Sequence, residues 1–165
     1  MDDPVQPARS PRNPQSWSHD WHPYEDYLNV HTRYMTALLA AGTVIRDRLS
    51  RLEVQDGGEL IAVQLRGRVE CTNQLVVFVD KWLDVRRQRR GQYETKGMSY
   101  SYHAWVRGTR RTLLRYDSAH GLDGLHCHRL LPSGEELVHS VKLDALPTLT
   151  GFIEEAVGLA REIRR

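Results

Sequence analysis

The sequence predicts an α+β fold: an N-terminal helix, an antiparallel sheet of five to six strands, and a C-terminal helix packed on the sheet. Three observations carry this. Apolar residues recur at helical spacing after residue 24, the period then falls to two through the long central stretch, and helical spacing returns from residue 146. With 165 residues, 40% hydrophobic and 27% charged, the chain is the size of one domain with a core, which excludes full disorder. The densest apolar stretch, Leu75 to Val79, is five residues long, against the roughly 18 that a membrane helix needs. The opening Met1-Asp2-Asp3-Pro4 is acidic and lacks the apolar segment of a secretory signal. The expected protein is cytoplasmic, with no membrane partner.

Residues 1–23 hold five of the seven prolines and read as a disordered or extended arm; residues 24–165 read as a single domain. Tyr27, Leu28, Tyr34, Met35, Leu38 and Leu39 mark the first helix, which Gly42 ends. Residues 43–54 and 59–71 form a hairpin across the Gln55-Asp56-Gly57-Gly58 turn, with Ile61, Val63, Leu65, Gly67 and Val69 on one face. In the third strand, residues 74–85, Lys81 shares a face with Leu75, Val77, Val79, Leu83 and Val85. Residues 98–107 and 112–118 give a second hairpin around Gly108, and residues 137–143 add a short strand. The last helix carries Leu149, Phe152, Ile153, Ala156, Val157 and Ala160 behind Pro147 and Thr148.

Cys71 and Cys127 have no CxxC partner and read as reduced thiols. A net charge of +2 favours no partner until its distribution is read. Residues 86–111 hold Arg86, Arg87, Arg89, Arg90, Lys96, Arg107, Arg110 and Arg111 against Glu94 alone, a local +7 that leaves −5 elsewhere. Tyr93, Tyr100, Tyr102 and Trp105 lie within this run, so phosphate contact with base stacking is one reading, and a solvated hairpin edge is the other.

Five of eight histidines, His103, His120, His126, His128 and His139, fall in one stretch. Alternation puts His103 with Ser101, Trp105 and Arg107 on one face, pairs Arg115 with Asp117, and pairs His126 with His128 if that segment is extended. Two imidazoles beside an arginine suit general base and general acid work around a phosphodiester without a metal. The same donors, with Asp117 or Asp123, suit zinc, and a third reading leaves them as structural polar side chains. No phosphate loop, dinucleotide fingerprint, GxSxG or HExxH occurs.

Tyr100-Ser101-Tyr102-His103, Leu114-Arg115-Tyr116-Asp117-Ser118-Ala119-His120, His126-Cys127-His128 and Gly134-Glu135-Glu136, in this order before a C-terminal amphipathic helix, resemble the TumE family. Its members are small prokaryotic proteins regarded as toxins of type II toxin–antitoxin modules, encoded beside a helix-turn-helix antitoxin. The resemblance spans residues 24–165; Ser118 stands where the family has asparagine, and Cys127 interrupts the closing histidines. It implies a toxin with a cognate antitoxin partner; RNA as a target is suggested instead by the clustering of basic residues and histidines in the same stretch. In that setting Arg107 and Arg115 would stabilise the charged phosphorane, His103 with His120 or His128 (beside His126) would move protons, and Tyr102 or Tyr116 would contact a base or supply a proton. Asp117, on the Arg115 face and just before the loop that holds Gly121 and Gly124, is a candidate for a chemical role or for anchoring that turn through backbone N–H groups.

Overall fold

A computed structural model describes residues 20–109, 111–118, 124–142 and 145–164. Along the chain run β1 (His22–Pro23), α1 (Tyr24–Ala40), β2 (Val44–Asp56), β3 (Glu59–Cys71), β4 (Leu75–Arg87), β5 (Tyr93–Val106), β6 (Thr112–Asp117), β7 (His126–Leu130), β8 (Glu136–Ser140) and α2 (Leu149–Ile163). The sheet is a fully antiparallel meander ordered β2 to β8 in chain order. Strand β1 pairs with β5 at Thr95 and Glu94, beside the stretch of β5 that β6 leaves unpaired.

The α+β class is as the sequence predicts, but among the described residues the sheet has eight strands instead of five to six. Both additions lack an alternating apolar signal. Strand β1 is two residues ending in proline, and the inward positions of β7 are Cys127 and Arg129. His22 and Pro23, assigned by sequence to the arm, are therefore part of the sheet, and the Trp21 ring stacks between Arg86 (4.1 Å) and Lys96 (5.1 Å). Residues 1–19 lie outside the described residues.

Each helix starts and stops for local reasons. The first turn of α1 carries Glu25 and Asp26, which suit the positive end of the helix dipole, and Gly42 follows its end at φ 70°. The Thr148 hydroxyl caps α2 by accepting from the Gly151 N–H at 3.1 Å. Met35 and Leu38 from α1 and Phe152, Ile153, Ala156 and Val157 from α2 enter one apolar cluster with Val69, Val77, Val79, Tyr102 and Leu114. Both helices therefore cover the same face of the sheet. The other face presents Phe78, Asp80, Trp82 and Asp84 of β4, all partly accessible to solvent. No helix among the described residues is long and apolar enough to cross a membrane.

Bulges adjust which residues point inward. Val54 pairs with Ala62 and Gln55 with Leu60, so Ile61 is the extra residue: it is exposed, and Leu60 is buried in its place. Met98 is bypassed between Trp82–Ser99 and Leu83–Gly97, which switches the inward set of β5 from Thr95 to Tyr100, Tyr102 and Ala104. Leu113 is bypassed between Trp105–Thr112 and Ala104–Leu114, and both Leu113 and Leu114 are buried.

A lysine enters the core on the helix side of the sheet. Lys81 is 4% exposed, with its Nζ 4.9 Å from the Tyr27 ring centroid and 5.1 Å from that of Tyr100. Burial holds its pKa below the ordinary 10.5, against an opposing contribution from Tyr100. The unfolded chain then binds this proton more tightly, so the protein gains stability as pH rises from the lowered value toward 10.5. Replacing Lys81 with methionine is expected to raise stability at pH 7 by about 1 kcal/mol and to remove that rise, read from urea midpoints at pH 7 and pH 9.5. At Gly67, φ is 151° and an added Cβ would lie 2.2 Å from the Arg48 carbonyl oxygen of the facing strand. Gly67→Ala must push β2 and β3 apart, and a loss of about 2 to 3 kcal/mol is expected in the same measurement.

Candidate functional site

Side chains on the open face are set in rows by the register of the ladder. Directly opposed across four strands stand Phe78 on β4, His103 on β5, Arg115 on β6 and His128 on β7. The next row holds Asp80, Ser101, Asp117 and His126. Five of the seven catalytic candidates, His103, Arg115, Asp117, His126 and His128, are thus brought together on adjacent strands.

Each of these groups is braced. The Asp117 carboxylate is almost fully buried and accepts from the Arg115 guanidinium, two residues away on the same face. A buried carboxylate paired this way is an anchor that fixes Arg115 while leaving about a third of its side chain accessible. The Nε2 of His103 lies 2.9 Å from the Thr112 hydroxyl, and its ring stacks tilted on Trp105 at 5.1 Å. The bulge at Leu113 makes this possible, because it sets Thr112 opposite Trp105 on the open face. Burial first, then the electrostatic influence of Arg115 and of the neighbouring His128 ring, hold the His103 pKa below the ordinary 6.5. His103 is therefore a neutral imidazole at pH 7, the form a general base requires. His128 Nδ1 lies 2.8 Å from the Glu136 carboxylate, which orients the ring and leaves Nε2 for other work. The His126 ring sits edge-on to His128 at 5.1 Å.

The structure moves other candidates elsewhere. Tyr100, Tyr102 and Tyr116 are buried on the helix side of the sheet, where alternation requires them to be if His103 and Arg115 face outward. Tyr102 and Tyr116 pack on Phe152, so these rings build the core and do not stack on bases. Burial also pushes the Tyr116 hydroxyl up to about 12, with Cys127 adding to the shift, and the hydroxyl donates to Glu155 on α2 at 3.3 Å. Trp105 alone of the sequence-selected base-stacking aromatics stands on the open face. Cys127 is buried, as expected, and burial raises its pKa. His120 and Arg110, with Ala119, Gly121 and Asp123, lie outside the described residues.

The run of positive charge does not form one patch. Arg86, Arg87, Arg89 and Arg90 sit at the β4–β5 turn, whereas Arg107 and Arg111 sit at the β5–β6 turn. The fourteen residues of β5 separate the two ends by about 45 Å. Several of these charges are also spoken for: Arg86 pairs with Glu94 (2.8 Å), Arg87 with Glu59, and Arg107 with Glu70 (3.5 Å), while Arg111 donates to the Gly134 carbonyl. Among the described residues no three His, Cys, Asp or Glu side chains come together as a metal-ligand set.

Sequence reasoning missed Glu136, Thr112 and Phe78 as members of this site. Each is placed by cross-strand pairing and not by spacing within a motif. No family profile, no curated protein and no solved structure matches the chain.

Histidine resonances followed by NMR against pH will show His103 titrating below 6.5. Arg115→Gln will move that midpoint upward without carrying it fully to 6.5, since burial is the larger cause. A midpoint at or above 6.5 in the unsubstituted protein would contradict the neutral-base assignment.

Proposed function

We propose that the chain is the toxin of a type II toxin–antitoxin pair, acting in the cytoplasm as a metal-independent endoribonuclease on the open face of its sheet. The TumE resemblance supports the toxin role and its helix-turn-helix antitoxin partner. The observation that carries the chemistry is the direct cross-strand alignment of His103, Arg115 and His128.

The reaction suited to these groups is transphosphorylation within RNA. Neutral His103 takes the proton of a ribose 2′-hydroxyl, and the 2′-oxygen attacks the adjacent phosphorus. The bond to the 5′-oxygen of the next nucleotide breaks as protonated His128 gives that oxygen its proton. The products are a 2′,3′-cyclic phosphate and a free 5′-hydroxyl, and the two histidines end with their protonation states exchanged. Arg115 lies between them and offsets the charge that builds on the non-bridging oxygens. The backbones of β5 and β7 are about 10 Å apart, room for a phosphate between the two imidazoles. Glu136 holds the tautomer and orientation of His128, and Asp117 holds Arg115.

Induced expression in a bacterial host is expected to arrest growth and to yield RNA fragments ending in cyclic phosphate. Alanine at His103, Arg115 or His128 should each lower cleavage by roughly 100-fold or more, with thermal unfolding checked for every variant. Full toxicity in all three would rule the reading out. Binding of RNA with no cleavage in the unsubstituted protein would instead identify a non-catalytic nucleic-acid-binding protein.

A further inference from the structure

The row that contains the histidines does not stop at Phe78. Arg68 on β3 is directly opposite Phe78, and Arg48 on β2 is directly opposite Arg68. One line of register therefore runs Arg48, Arg68, Phe78, His103, Arg115, His128 across six adjacent strands. None of the first three lies in the 86–111 run.

We propose that this line is the path of a single-stranded RNA, held by its phosphates at Arg48 and Arg68 and by a base stacked at Phe78, so that the next phosphodiester reaches His103, Arg115 and His128. The inference rests on the ribonuclease reading above and names its substrate class.

Charge and shape both favour this occupant. Arg46, Arg48, Arg68 and Arg107 surround a single carboxylate, Glu70, and one oxygen of it serves both Arg48 (3.9 Å) and Arg107 (3.5 Å). Among the described residues neither Arg46 nor Arg68 has a carboxylate partner, so this corner of the face carries an uncompensated positive charge facing the path. Phe78 is partly exposed, and the Arg66 guanidinium lies 5.8 Å from its centroid. Trp105 stands in the neighbouring row against His103, a second ring on the same surface. Five inter-strand spacings give about 24 Å, enough for the roughly four nucleotides at the short end of single-strand sites. A flat ring on an open sheet takes an unstacked base, which a duplex does not offer. The 2′-hydroxyl required at His103 selects RNA.

The test uses the full chain and a 2′-O-methylated ten-nucleotide RNA, which cannot be cleaved, as a single strand and as a blunt duplex, read by fluorescence anisotropy. The single strand is expected to bind at least about tenfold tighter than the duplex, because stacking is available only to it. Phe78→Ala should weaken single-strand binding by roughly 5- to 150-fold, and Phe78→Trp should retain it. The double variant Arg48→Gln with Arg68→Gln should lower the slope of log affinity against log salt by about 1.4. Equal binding of the duplex overturns the proposal, as does affinity unchanged in both Phe78→Ala and the double variant. Cleavage of unmodified RNA separates the two readings. Binding as expected with no cleavage removes the ribonuclease and keeps the path, whereas cleavage indifferent to the row removes the path alone.

Discussion

The register of the ladder from β2 to β7 is the constraint on which every other feature depends. In an antiparallel sheet a slip of one residue turns each side chain to the opposite face. Moved by one position, β6 would put Tyr116 on the open face and Arg115 among Phe152 and Ala156, at the cost of burying a guanidinium and exposing an aromatic ring. The apolar face thus enforces the polar one. Tyr102, Leu114 and Cys127, all buried, hold β5, β6 and β7 in the single phase that aligns His103, Arg115 and His128 behind them. A site on this surface needs no loop to assemble it, because packing on the reverse side has already chosen its geometry.

Bulges tune that phase. Leu113 lets two successive leucines enter the core and sets Thr112 where its hydroxyl meets His103. Met98 shifts β5 so that the end beside β1 and the end beside β6 each bury their own residues, Thr95 in one and Tyr100 and Tyr102 in the other. Gly67 performs the equivalent service for β2 and β3, accepting the Arg48 carbonyl where a side chain would stand. Gly67 directly precedes Arg68, and the Leu113 bulge lies two residues from Arg115, so these two irregularities set the aim of side chains in the row of charged and aromatic groups.

Period and turn chemistry made most of the fold legible. The spacing of Leu38, Phe152 and Ile153 and the glycine pair at residues 57–58 placed both helices and the first hairpin. The alternation of β4 even put Lys81 on the buried face, where the structure has it. Strand β7 was hidden because its inward Arg129 is partnered from α2, by Glu155, which no local pattern reveals. The start of β5 was missed for a related reason: the bulge at Met98 breaks the period of two, so alternation could be read only from Met98 onward. Within the site, the outward set of β5 and β6 was readable from alternation, whereas Tyr100, Tyr102 and Tyr116 were chosen for their ring chemistry against that same alternation. Arg48, Arg68 and Phe78 had no local mark at all, since their alignment exists only once three hairpins share one register.

Charge taught the same lesson from the other direction. A contiguous run of arginines in sequence looked like a surface, yet β5 is an extended strand and delivers its two ends to opposite margins of the sheet. Proximity along a strand is the poorest guide to proximity in space, because each residue advances by about 3.3 Å whereas crossing to the next strand takes about 4.8 Å and many residues of chain. Arg48 and Arg68 are twenty residues apart in sequence and directly opposed in the sheet. Arg90 and Arg107 are seventeen apart and stand at opposite ends of it. For a sheet of long antiparallel strands, the informative charge pattern is the one read across the ladder, and on this sheet that line places two arginines and a phenylalanine next to the histidines.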